Sequence, residues 1–271
     1  MTQSEDASMS SHYKRILTSL VLVLVLGYLI FWATPLVLAL GVLAMSLMGL
    51  WEFFSLFWPS RERLGLKAAG MILAVPVVLH GFIGMSALGS VLFCLWAINA
   101  FFIVQLARGR AFEWQSAQIV SLGLIYIPAA LQFLVGLEAE EILLVLLTAF
   151  ATDILAFYAG SLWGKRKLLP AVSPKKTWMG AVGGLAGCLA VSLALGLGFG
   201  AATWPVWIGV GIVLNLAAQG GDLFISALKR MQGVKDSGRL LPGHGGFLDR
   251  FDSVLLVLPA YILIQTIWPL F

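Results

Sequence analysis

Charge is what this chain most lacks. Only 11% of its 271 residues are charged, against 60% that are hydrophobic. A soluble domain of this length carries about a quarter charged residues, so the composition excludes an ordinary soluble enzyme. Long runs hold no charge at all, and each approaches the roughly 20 residues an α-helix needs to cross a bilayer. Cysteine is nearly absent too. Cys94 and Cys188 stand alone in apolar runs, without metal-ligand spacing. They are expected to be small buried apolar residues and nothing more. There is no Pro/Ser-rich linker, no soluble appendage long enough to fold, and no clear internal repeat. The excess of 17 Lys and Arg over 13 Asp and Glu does not point to nucleic acid, because basic residues collect beside membrane spans.

Apolar runs between breaks predict nine transmembrane helices: 16–32, 35–58, 68–84, 87–107, 117–137, 141–163, 178–199, 204 to about 226, and 251–270. The chain therefore reads as an all-α, polytopic integral membrane protein. Its first apolar run is long for a signal peptide and is followed at once by another, so it reads as a retained helix. All 17 Lys and Arg fall at the N-terminus or in the alternate loops 60–67, 108–115, 164–177 and 229–250. The loops near Thr34, Met85, Glu138 and Ala202 have none. This alternation predicts a cytoplasmic N-terminus and places Phe271 outside. Trp32, Trp58, Trp114, Trp163, Trp178, Trp204 and Trp268 fall near predicted helix ends, as an aromatic belt does. Polar chemistry is unevenly spread. We divide the chain into a cytoplasmic tail (1–15), a five-helix scaffold half (16–140) and a four-helix working half with two cytoplasmic loops (141–271).

One stretch concentrates what the rest lacks. Residues 226–252, SALKRMQGVKDSGRLLPGHGGFLDRFD, hold five of the 17 Lys and Arg and one of the three His. Opposite charges, His244 and flexible glycines in one loop of a membrane protein suit metal-bound phosphates. Asp222 lies just upstream. If its helix continues, Asp222, Ser226 and Lys229 or Arg230 share one face. Asp249 and Asp252 are three apart and, on a helical turn, face the same way. With Asp222 they make a candidate three-carboxylate site for Mg²⁺, with room for a second cation. Glycines around His244 let the backbone approach a ligand closely.

Three other features add to this. Asp153 lies inside the sixth span, roughly 16 Å of helix below its cytoplasmic end at about 1.5 Å per residue. It either faces a cavity or is a protonated Asp bonded to a neighbouring helix. The loop 164–177 carries Lys165, Arg166 and Lys167, which fit simple positive-inside anchoring. Its second part, Ser173-Pro174-Lys175-Lys176-Thr177, has a shaped turn set by Pro174 and a Thr177 cap on the next helix. That helix start and two lysines make a candidate anion site. Gly180, Gly183, Gly184 and Gly187 on the seventh span allow close helix packing. Glu52 and His80 are isolated polar groups for which a bonded partner or an interfacial position is expected rather than catalysis.

The 226–252 stretch resembles the signature of the phosphatidate cytidylyltransferase family, the CDP-diacylglycerol synthases. The resemblance runs through Ser226, Leu228-Lys229-Arg230, Lys235-Asp236, Gly238, Leu241-Pro242, His244-Gly245-Gly246, Asp249-Arg250 and Asp252. It extends upstream through Gly221-Asp222-Leu223, Ser173 to Trp178, and Asp153 with Gly160 and Gly164. It covers the C-terminal half in detail and the N-terminal half only in hydrophobic pattern. The resemblance implies a Mg²⁺-dependent reaction of CTP with phosphatidic acid to give CDP-diacylglycerol and pyrophosphate. It implies catalytic parts for Asp153, Asp222, Lys229, Arg230, Lys235, Asp236, His244, Asp249 and Arg250. Substrate contacts fall to Ser173, Lys175, Lys176, Thr177, Ser226, Gly245 and Gly246, and metal ligation to Asp222, Asp249 and Asp252. The implied partners are CTP, phosphatidic acid, the bilayer and a second copy of the chain as a homodimer, with no nucleic acid. The implied place is a bacterial cytoplasmic membrane, with the site facing the cytoplasm. The pattern departs at Met179, where the family usually has Glu. Rival readings are another CTP-using lipid enzyme, such as a polyprenol or phytol kinase or a cytidylyltransferase for another lipid phosphate. An ion-coupled transporter built on Asp153 and an inactive scaffold are more distant ones.

Overall fold

The structure is a computed structural model and describes residues 20–59, 62–109, 114–238, 240 and 245–271. Among these, seven helical stretches are long and apolar enough to cross a membrane, and the two shorter apolar helices are Leu20–Phe31 and Leu64–Val78. Each of the nine segments read from the sequence thus meets a helix, and the chain is a polytopic helical membrane protein. The seven belt tryptophans all lie within one residue of a helix end. The molecule divides into two compact units. The first comprises the described residues through Val135 and those of Asp236–Arg250; the second is Gly136–Lys235 with Phe251–Phe271.

The first unit holds α1 (Leu20–Phe31), α2 (Pro35–Phe57), α3 (Leu64–Val78), α4 (Ala87–Ala107), α5 (Trp114–Tyr126) and α6 (Pro128–Leu131). Thr34 caps α2 through the Val37 N–H, and Ser86 caps α4 through the Gly89 N–H. Such caps satisfy amides that a helix start leaves without partners. The core is aromatic. Phe53 and Phe54 are fully buried, and the Phe54 ring fills the space a side chain would need at Gly70 and Gly123. Small residues on α3 and α5 thus let those helices close on a large ring from α2.

Some helix boundaries differ from the sequence reading. Helix α3 begins at Leu64, not residue 68, and takes in Lys67. That lysine is buried, donates to Ser55 Oγ at 3.1 Å and lies 4.9 Å from the Trp51 ring centre. Its charge therefore does not end the helix. The span expected at 117–137 breaks after Tyr126, and Pro128 opens α6. Proline removes a helical amide and clashes with the preceding turn. His80 follows α3 in a 3₁₀ turn and meets Val77 O through Nδ1 at 3.0 Å, the bonded partner expected of it.

The second unit holds α7 (Ala139–Trp163), a β1–β2 hairpin (Lys167–Leu169 and Ser173–Thr177), α8 (Trp178–Phe199) and α9 (Trp204–Met231). The chain enters its last helix, α11 (Val254–Ile267), after the short α10 (Leu248–Phe251). Helices α7 and α8 pack through glycine, as the sequence suggests. A side chain at Gly180 would meet Ala156 O, one at Gly184 would meet Thr152 O, and one at Gly187 would meet Ala151 O. These backbones touch because α8 presents hydrogen where other helices present side chains. Cys94 and Cys188 are buried and free, as expected. The hairpin is antiparallel, with Lys167 opposite Thr177 and Leu169 opposite Ser173. Pro174 lies within β2 and not at its turn, so it does not set the turn as expected. It takes a position in a two-stranded ribbon where no neighbour on its free edge needs its missing N–H.

Candidate active site

The site in the second unit is built where the ends of α7, α8 and α9 meet the lysine-bearing hairpin. Thr177 ends β2 and starts α8, and its hydroxyl accepts from Gly180 N at 3.0 Å. This is the cap expected from the sequence, and it leaves the hairpin lysines beside the helix start. Gly160 of α7 and Gly164, just past its end, leave room for the Thr177 side chain, which occupies the volume where their own side chains would stand. The three-way fit of α7, hairpin and α8 around one buried threonine shapes a cavity of about 520 Å³. Asp153, Lys175, Lys176, Thr177 and Asp222 all line it. Residues separated widely in sequence thus come to one chamber.

Helix α9 runs past residue 226 to Met231. The shared face expected of it is real: Ser226 Oγ donates to Asp222 Oδ1 at 3.1 Å. Lys176 Nζ pairs with Asp222 Oδ2 at 2.5 Å, and the two side chains are 27% and 25% exposed. An ion pair this open to water contributes only about 0–1 kcal/mol. Asp153 accepts from Ser253 Oγ at 3.0 Å and lines the cavity, so it both borders the cavity and is bonded to the start of a neighbouring helix. Asp252 is buried and accepts from the Ser253 N–H. Asp153 and Asp252 each interact electrostatically with Asp222. Lys229, 8% exposed, supplies a balancing charge to Asp252.

Other expected residues are placed less directly. Arg230 donates to Val172 O at 3.3 Å and Val234 O at 3.1 Å. It ties the hairpin turn to the end of α9, a structural task the sequence reading did not foresee. Ser173 begins β2, and Lys235 is exposed. In the first unit, Asp236 and Arg250 are exposed. Gly245 has φ of 83°, a backbone conformation in which a side chain is strained. Asp249 Oδ2 accepts from Ser237 N at 2.9 Å and Gly246 N at 3.2 Å. His244 lies outside the described residues, as do Pro242 and Gly243.

Sequence reasoning missed Ser253, Gln219 and Ser237. Gln219 lines the cavity and spends its amide donors on Ala181 O at 3.1 Å and Asn215 Oδ1 at 2.9 Å. Nothing in its spacing singles it out. Glu52 was read as isolated, yet its Oε2 accepts from Ser237 Oγ at 3.0 Å and Leu248 N at 2.9 Å. A bonded partner was expected; that it belongs to the signature stretch was not. The available signal was a carboxylate on an apolar helix with no basic residue near it in sequence.

The chamber among apolar helices thus brings together paired lysines, a Lys–Asp bridge and further carboxylates. Residues 13–268 match the Cytidylyltransferase family. The chain belongs to that family. Among similar curated proteins, the phosphatidate cytidylyltransferase of Staphylococcus aureus (strain COL) is 43% identical over 168 residues, 59% of this chain and 64% of that protein. The phosphatidate cytidylyltransferase of Rickettsia felis is 36% identical over 190 residues, 63% of this chain and 84% of that one. That of Rickettsia prowazekii is 32% identical over 205 residues, 69% and 90% of the two chains. The chain thus matches 64% of the length of the staphylococcal relative.

Proposed function

We propose that this protein transfers CMP from CTP to phosphatidic acid, forming CDP-diacylglycerol and releasing pyrophosphate. The observation that carries the reading is the cavity of the second unit, which Lys175 and Lys176 of the hairpin line together with Asp153 and Asp222 of apolar helices. The names of the relatives point to the same substrates. In the reaction an oxygen of the lipid phosphate forms a bond to the α-phosphorus of CTP as the bond from that phosphorus to the bridging oxygen breaks. Pyrophosphate takes the electron pair. The attacking phosphate is already ionised, so no side chain has to remove a proton. The obstacle is repulsion between two anions. Lys175 and Lys176 offset it, holding phosphate oxygens and stabilising the leaving group. Lys176 is available because its bridge to Asp222 is weak. The apolar surround keeps acyl chains in lipid while CTP enters from water.

The donor set suits Mg²⁺. Among the described residues no group of three or more His, Cys, Asp or Glu stands at metal-binding distance. Mg²⁺ does not need one, since it is bound through one or two carboxylates plus water and substrate phosphates. Asp222 is the carboxylate we assign to it in the second unit, with Asp252 beside it; Asp249, in the first, carries the same assignment from the signature. When bound, the ion would neutralise phosphate charge and help hold the substrates in line. The site is assigned to the cytoplasmic face of a bacterial inner membrane from the distribution of Lys and Arg. Single cysteines placed at Ser173 and Ala202 are expected to react from opposite sides of a sealed vesicle. Reaction from one side overturns that orientation.

The activity test is solubilised protein with radiolabelled CTP, phosphatidic acid and Mg²⁺. Lipid-linked CMP and stoichiometric pyrophosphate are expected. CDP in place of pyrophosphate would identify a lipid kinase instead. No lipid product, where a related enzyme makes one, would defeat the reading.

A further inference from the structure

Glu52 has no part in the chemistry above, and it is one of the least accessible charged groups in the first unit, at 2% exposure. It sits on α2, close to that helix's end at Phe57. One oxygen, Oε2, accepts two hydrogen bonds: from the Ser237 hydroxyl at 3.0 Å and from the Leu248 N–H at 2.9 Å. The Leu248 amide opens α10, so Glu52 also serves as the acceptor for that short helix's start. Ser237 works in two directions. Its hydroxyl donates to Glu52, while its N–H donates to Asp249 Oδ2 at 2.9 Å. Gly246 N–H reaches the same Asp249 oxygen at 3.2 Å. Glu52, Ser237 and Asp249 therefore form a chain of direct contacts.

Sterics reinforce it. The Glu52 carboxylate occupies the space a side chain would need at Gly238, and Glu52 with Ser237 fills that at Gly246. Both glycines are close-packed on Glu52. A carboxylate from an apolar helix has become the post around which this part of the signature is folded.

We propose that Glu52 is a positioning residue that sets Asp249 through Ser237 and holds Ser237, Gly246 and Leu248 in place. The proposal rests on the reading of Asp249 as a functional carboxylate. Glu52 touches no substrate; its effect is to fix where the Asp249 oxygen points. Both bonds use a single oxygen, so acceptor geometry matters more than charge. Glu52→Gln presents the same acceptor and retains the arrangement; Glu52→Ala removes it.

The experiment uses the full chain in detergent, with two readouts. Amide hydrogen exchange by mass spectrometry follows the peptides that contain Ser237, Gly246 and Leu248. Exchange there is expected to quicken at least about 10-fold in Glu52→Ala and to stay near wild type in Glu52→Gln, with peptides of α8 and α9 unchanged. The second readout is the Mg²⁺ concentration giving half-maximal activity. It is expected to rise about 10-fold in Glu52→Ala and in Ser237→Ala, with no further rise in the double variant, because both cut one chain of contacts. Unchanged exchange at Ser237 to Leu248, or equally faster exchange throughout the protein, overturns the proposal. An unchanged Mg²⁺ requirement, or fully additive effects, overturns the link to Asp249. If Glu52→Ala does not accumulate, Ser237→Ala carries the same test, since it cuts only the link. Absence of wild-type activity would defeat the cytidylyl-transfer reading, while the exchange comparison would still decide whether Glu52 holds the loop.

Discussion

Two carboxylates of this protein make an instructive pair. Asp222, in the second unit, is about a quarter exposed, is bridged to Lys176 and lines an open cavity. Glu52, in the first unit, is buried and bonded to a hydroxyl and a backbone amide of one loop. Asp222 is held by a partner that water already screens, so it can exchange that partner for a ligand. Glu52 is held by groups that would be left unsatisfied without it, which costs about 1–3 kcal/mol for each buried polar group. Burial and partner type, not the carboxyl group, separate the carboxylate we propose for catalysis from the one we propose as a support.

The sharpest way to break this comparison is at the working residues. Asp222→Asn keeps the shape and the Ser226 bond but removes charge, and is expected to lower kcat about 1000-fold or more, in the range of other losses of transition-state charge stabilisation. Asp249→Asn is expected to match it. Thermal unfolding in detergent should show both variants folded, and a loss of fold would move Asp222 into the supporting class. Lys176→Met comes next, with about a 100-fold loss in kcat/KM, because Lys175 still supplies one charge to the same cavity. An unaffected Lys176→Met enzyme would mean that the bridge is mere surface electrostatics.

The packing that forms the cavity offers an intermediate effect. Gly184→Val places a side chain against the Thr152 backbone oxygen and is expected to cost about 1–3 kcal/mol of stability. A lower unfolding midpoint together with weaker CTP binding would tie the α7–α8 contact to the chamber. A change in stability alone would separate the two. The smallest expected effect is that of Met179→Glu. Met179 is in the first turn of α8 and exposed, where an acidic side chain suits a helix start by about 0.3–1 kcal/mol. Activity is expected to rise no more than about 5-fold, the scale of that energy. A fall would show that Met179 is matched to this chain's own cavity.

Much of the plan can be read along the chain. Helix positions follow from the near absence of charge, since a span of apolar residues has no stable place but lipid or a core. The tryptophans at helix ends, the glycines of α8 and the Thr177 cap follow from equally local chemistry. Residues such as Ser226 and Asp222 are legible together because one helical turn separates them. The break at Pro128 was legible in principle, but its apolar neighbours masked it. The carbonyl partners of Arg230, Val172 and Val234, were not legible, because they depend on how the hairpin meets the end of α9.

What the sequence by itself determined is therefore periodic or local: which segments are helical and apolar, where charge gathers, and which signature the charged stretch resembles. What only the tertiary structure decided is pairing across long distances. Lys176 meets Asp222, Asp153 meets Ser253, and Glu52 meets Ser237, separated by 185 positions. No spacing rule encodes such contacts. Each arises because apolar helices pack on glycine and aromatic surfaces, and the few polar groups they carry inward must then find one another.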